Sequence, residues 1–121
     1  MLPAFGKELR KLRLDYGEIL KNMAIKLGYS SSYLSSIEVG KRNIPEDMIT
    51  RLAQIYKLDD STVHNLESAK AQQTKDISLG LDGASPQQSE VALVFARRFK
   101  DLDEVTSSKI LKLINNAPKD N

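Results

Sequence analysis

Apolar residues recur through the first half of the chain at steps of three and four, the spacing of one helix face. Phe5, Leu9, Leu12 and Tyr16 predict a first helix over about Pro3 to Tyr16, with Lys7, Arg10 and Lys11 off the apolar face. Pro3 suits a helix start, where its missing N–H costs nothing, and Gly17 ends the helix. Leu20, Met23, Ala24 and Leu27 form a second face, stopped by Gly28, which can take the left-handed conformation that closes a helix. Only Tyr29 separates Gly28 from Ser30, whose hydroxyl can cap a third helix. That helix turns Leu34 and Ile37 inward and a row of hydroxyls outward, and Gly40 ends it. The basic loop Lys41-Arg42-Asn43 leads to Pro45, which fits the first turn of a fourth helix with Glu46 and Asp47 near its positive end. Met48, Leu52 and Ile55 line that helix, and Leu58 closes the segment. Asp59, Asp60 and Ser61 offer caps for a fifth helix with Val63 and Leu66 inward. Short helices with connections this brief predict a compact all-α unit.

The pattern then changes. Ala69 to Thr74 is polar and reads as a frayed helix end or linker, so the expected division is residues 1–70 and 71–121. From Asp76 to Asp82, Ile77, Leu79 and Leu81 alternate with Ser78 and Gly80, a strand pattern with no partner elsewhere in the chain. Gly83-Ala84-Ser85-Pro86 supplies a turn, a cap and a first-turn proline for a helix to about Lys100, nearly all apolar from Val91 to Ala96. A last helix, about Asp103 to Asn115, carries Val105, Ile110, Leu111, Leu113 and Ile114, and Pro118 to Asn121 read as a disordered end. One strand and two greasy helices cannot bury their own apolar surface. The economical expectation is a second copy in an isologous interface, using Ile77, Leu79, Leu81, Val91, Val94, Phe95, Phe99, Ile110, Leu113 and Ile114. Docking back on the first five helices is the alternative.

Two short helices joined by a glycine-containing turn make a helix-turn-helix, and the second is small enough for a DNA major groove. Several spacings fit this at once. Gly28 follows Gly17 by eleven residues, Ala24 holds the tightly packed place between the two helices, and Ser30, Leu34 and Ile37 follow. Glu38-Val39-Gly40-Lys41-Arg42 and Pro45 complete the set. On these residues the first half resembles the Cro/CI-type (xenobiotic-response-element-type) helix-turn-helix family of bacterial and phage repressors. The resemblance implies an all-α, lambda-repressor-like five-helix DNA-binding domain, here followed by the strand and two-helix dimerisation segment.

It also implies roles. Ser31 and Ser32, with Ser35 and Ser36 one turn on, would face base edges, with Ser30 and Tyr33 beside them. Lys41, Arg42 and Asn43 would meet phosphates. Arg13 and Glu38 match positions that pair in some members. Leu20 stands where the family has Gln, Ser or Thr to grip a phosphate, so Asn22 or Lys21 would have to substitute. Hydroxyls read bases less decisively than Arg, Asn or Gln, so water, phosphate and shape readout should contribute. The implied function is a sequence-specific regulator, a dimeric repressor on a palindromic double-stranded operator. The alternative is an antitoxin-type protein that grips a partner (a toxin or antirepressor) and autoregulates its operon.

Charge supports a polyanion at one end. The net is +2, with ten Lys/Arg and six Asp/Glu up to Lys57 but eight and ten beyond it. Zero cysteines exclude disulfides and thiolate zinc sites. No run approaches the ~18 apolar residues of a membrane span, and no signal-peptide core precedes the first helix, so a cytoplasmic, nucleoid-associated protein is expected. His64, the one histidine, reads as a surface residue. No nucleophile elbow accompanies the serines, and no GK[ST] follows Gly80 and Gly83. Asp59-Asp60 and Asp101, Asp103 and Glu104 read as helix caps and solvated turns. No catalytic, metal or cofactor site is expected.

Overall fold

The computed structural model describes residues 2–119, and its regular structure there is entirely helical. The helices are α1 (Ala4–Tyr16), α2 (Leu20–Leu27), α3 (Ser31–Glu38), α4 (Met48–Tyr56), α5 (Asp60–Gln73), α6 (Pro86–Arg98) and α7 (Glu104–Asn116), with a short 3-10 turn, Phe99–Asp101, after α6. The chain divides into two compact units after Ile77. The expected disordered end falls in part on Asp120 and Asn121, outside the described residues.

The two glycine stops work through backbone geometry. Gly17 (φ 64°) and Gly28 (φ 74°) are left-handed, which lets the next residue turn back on the helix. Glu18 N–H then donates to the Arg13 carbonyl at 2.8 Å, and Tyr29 N–H to that of Ala24 at 2.9 Å. Those bonds satisfy carbonyls that a helix end otherwise leaves open.

Two expectations need correction. α4 begins at Met48, not at Pro45, because Pro45–Met48 closes as a turn with Met48 N–H on the Pro45 carbonyl at 3.2 Å. Asp47 stands at the N-cap position, where its side chain makes no cap bond. The strand expected over Asp76 to Asp82 does not form: no strand occurs among the described residues, and Ile77, Leu79 and Leu81 lie exposed in irregular chain. Alternation alone makes no strand, since a strand exists only by pairing its backbone with another.

The first unit holds the core. α1 packs on α3 and α5, α2 on α3 and α4, and α4 on α5. Phe5, Leu9, Met23, Leu27, Leu34, Ile37, Met48, Leu52 and Leu66 are fully buried between them. Each such side chain stabilises the fold by about 1.5–3 kcal/mol relative to exposure. Ala24, 1% exposed, sits in the tightly packed α2 position. Gly6 is buried on α1 for a steric reason, because a Cβ there would lie 2.1 Å from the Glu38 carbonyl oxygen at the end of α3. At the start of α1, where Pro3 offers no side-chain cap, the Gln73 side chain of α5 accepts the Phe5 N–H at 2.9 Å.

The second unit is built differently. Ser85 and Gln88 form a reciprocal capping box at the head of α6, and Asp103 caps α7 through Thr106 N–H at 2.7 Å. Neither helix contains a buried residue. Val91, Val94, Phe95, Phe99, Leu113 and Ile114 are exposed, and Ile110 is half-buried.

Gly6→Ala tests the close approach of α1 to α3. Overpacking costs about 1–3 kcal/mol in ordinary cores, and here the obstruction is backbone, so the loss should reach at least the upper end. A fall in the urea midpoint at unchanged m-value measures it.

Candidate nucleic-acid interface

The leading end of α3 is open. Ser31 and Ser32, its first two residues, are exposed, whereas Leu34 and Ile37 are fully buried in the core behind them. Ser30 sits just before the helix with extended backbone, and its Oγ accepts the Tyr33 N–H at 3.0 Å. Ser35 and Ser36 are half-buried, and Ser36 Oγ donates back to the Tyr33 carbonyl at 2.6 Å. Ser30 and Ser36 therefore hold backbone, while Ser31 and Ser32 present exposed hydroxyls. Tyr33 is half-buried at the core edge. After α3, Gly40 (φ 86°) turns the chain, and the amides of Lys41 and Arg42 both return to the Ser36 carbonyl at 2.9 and 3.1 Å. That loop leaves Lys41, Arg42 and Asn43 exposed beside the helix.

The tilt of α3 is set from its far end. Glu38 is buried, and Arg13 of α1 meets it in a two-pronged bond, Nη1 to Oε2 at 2.9 Å and Nη2 to Oε1 at 2.6 Å. Arg10 adds a third donor, Nε to Oε1 at 3.1 Å, from a largely exposed side chain. Arg13 also touches Met23 Sδ at 3.6 Å, so one guanidinium joins α1, α2 and α3. Fork-shaped pairing of Arg with a carboxylate fixes direction as well as distance.

The entry to α2 is held by a second network. Glu18 receives hydrogen bonds from Lys26 Nζ and, at 2.6 Å, from Tyr56 Oη. Tyr16 Oη donates to the Tyr56 carbonyl at 2.6 Å, and the two rings meet edge-on. Burial pushes the Glu18 carboxyl up, but its bonds from Lys26 and Tyr56 outweigh that and hold it below its ordinary value of 4.5. Burial and the bond to Glu18 raise the Tyr56 phenol above its ordinary range. At the head of α2, Asn22 Oδ1 accepts the Ile19 N–H at 2.9 Å, leaving the Asn22 amide N–H groups and the exposed Lys21 facing solvent there.

Several contributors carry no such role in the sequence pattern. Arg10 was placed off the apolar face but not on Glu38; its position one turn before Arg13 was the available signal. Tyr29 and Arg51 stack on one another with the Arg51 carbon 5.5 Å from the ring centroid, although they are 22 positions apart and share no local pattern. Gly6 is another.

Compared with known families, residues 4–73 match a family described as a helix-turn-helix domain. No curated protein and no solved structure matches the chain.

Glu38→Ala strands Arg13 without a partner inside the protein and should cost about 3–5 kcal/mol, whereas Arg10→Ala, from the exposed side, should cost about 1 kcal/mol or less. Chemical denaturation of both variants separates the two. Glu18 gives a pH test. Its carboxyl is lowered in the folded state, so its contribution is present above the ordinary value and is lost as pH falls through the folded one. Glu18→Gln should therefore flatten the fall of urea midpoint below about pH 5.

Proposed function

Because the chain belongs to the helix-turn-helix domain family, we propose that it is a sequence-specific DNA-binding transcriptional regulator, a repressor that works as a homodimer on a palindromic operator. The observation that carries this is the open leading end of α3, with Ser31 and Ser32 exposed while Glu38 at its other end is clamped by Arg13. In this reading the first five helices form a lambda-repressor-like head. α3 enters the major groove, Ser31 and Ser32 meet base edges, and Lys41, Arg42 and Asn43 hold the backbone on one side. The Asn22 amide and Lys21 supply the other side, in place of the Gln, Ser or Thr that the family carries where this chain has Leu20.

The second unit supports the dimer reading. α6, α7 and the turn between them expose Val91, Val94, Phe95, Phe99, Leu113 and Ile114, and neither helix has a buried residue, which favours a second copy as their cover. Two heads related by a two-fold axis would read half-sites about 34–36 Å apart, one turn of DNA.

Selection from a random duplex library should recover an inverted repeat. The double change Ser31→Ala/Ser32→Ala should shrink the preference for the selected over a scrambled duplex by about tenfold while leaving scrambled-duplex affinity nearly unchanged; equal losses on both would count against base reading. Lys41→Ala/Arg42→Ala should instead weaken all duplexes and lower the log–log salt slope by about two units. Sedimentation equilibrium of the intact chain tests the dimer, which a monomer at all concentrations would rule out.

A further inference from the structure

Four side chains outside the Glu38 clamp form one column beside α3. The Arg51 guanidinium of α4 donates to the Leu27 carbonyl, at the end of α2, and lies against the Tyr29 ring at 5.5 Å. Tyr29 meets Tyr33 of α3 edge-on, with centroids 4.9 Å apart and planes at 86°. Arg42, in the loop after α3, lies 5.5 Å from the Tyr33 centroid. Both contacts between guanidinium and ring fall within the ~6 Å at which a cation is drawn to an aromatic face.

The column has a fixed end and a free end. Arg51 and both tyrosines are half-buried, and Arg51 has a backbone acceptor at Leu27 and the Tyr29 hydroxyl at 3.5 Å. Arg42 is exposed, and its guanidinium has no carboxylate among the ion pairs of the described residues. A long cationic side chain on a loop ordinarily loses rotamer freedom when it meets a phosphate. Leaning on Tyr33 beforehand removes part of that loss.

We propose that Tyr29 and Arg51 are positioning residues for Arg42, acting through Tyr33 to hold its guanidinium ready for a DNA phosphate. This rests on the duplex-binding reading above. It assigns Tyr33 a role as the platform for Arg42 rather than as a base reader. It also ties the helix-turn-helix turn, where Tyr29 sits, to the loop that follows the other end of α3.

The test is a double-mutant cycle on the intact protein, read by fluorescence anisotropy with a labelled mixed-sequence duplex at low salt. Tyr29→Leu and Arg51→Met should each weaken binding about three- to fivefold. In an Arg42→Ala background the same changes should shift it by less than about 1.5-fold. Tyr29→Phe, which keeps the ring, should bind like the parent. Should Tyr29→Leu melt the domain, Arg51→Lys carries the cycle, since it keeps a charge and a donor for Leu27 but loses the planar stack. Equal losses in both backgrounds would overturn the column while leaving duplex binding in place. A parent protein with no salt-sensitive affinity for the duplex would overturn the regulator reading, and this proposal with it.

Discussion

The first unit is arranged around one buried carboxylate. Glu38 lies at the end of α3, and a charge in that position is tolerable only with full compensation. Arg13 provides it from α1 while touching Met23 of α2, and Gly6 lets the α1 backbone reach the Glu38 carbonyl without a side chain between them. Removing Arg13 or Glu38 leaves an unpaired charge, and adding a side chain at Gly6 drives it into the Glu38 carbonyl. α3 is thus pinned at its trailing end by charge and along its inner face by Leu34 and Ile37, which leaves only its leading end facing outward.

That outward end is chemically modest. Of its serines, Ser30 and Ser36 spend their hydroxyls on the Tyr33 amide and carbonyl, Ser35 is half-buried, and Ser31 and Ser32 carry the exposed hydroxyls of the helix start. Two hydroxyls that can each donate or accept discriminate weakly among bases. On the proposed reading, selectivity would draw on how the flanking cations and the helix fit the shape of the duplex. Rigidity would then matter more than the identity of any one contact, and the Glu38 clamp and the edge-on Tyr29–Tyr33 contact both brace α3.

Much of this was legible in the sequence where the cause is local. Gly17 and Gly28 were readable as helix stops because only left-handed backbone lets the following amide turn back, and both adopt it. Ser30, Ser85 and Asp103 were readable as caps from their place before periodic runs. The start of α4 was misjudged because a proline followed by two acids suits a helix turn and a tight turn alike, and the Met48–Pro45 bond selected the latter. The strand was misjudged because alternation records which face is apolar, not whether a partner backbone exists. Within the candidate interface, Ser31, Ser32, Lys41 and Arg42 were named from resemblance and lie exposed together around α3. Arg51 and Tyr29 were invisible because their stacking depends on how α4 crosses the end of α2, which no spacing along the chain encodes.

The Gln73 side chain that accepts the Phe5 amide has an implication for where the first unit can be cut. Its donor lies near the very beginning of the folded chain and its acceptor is the last residue of α5, so the two ends of the unit are stitched by one bond. A fragment stopped at the polar stretch after Ala69 would contain every core side chain and yet open a free amide at the mouth of the helix that carries Arg10 and Arg13. Carrying the first unit through Gln73 therefore keeps a polar closure that the extent of the apolar interior alone would not call for.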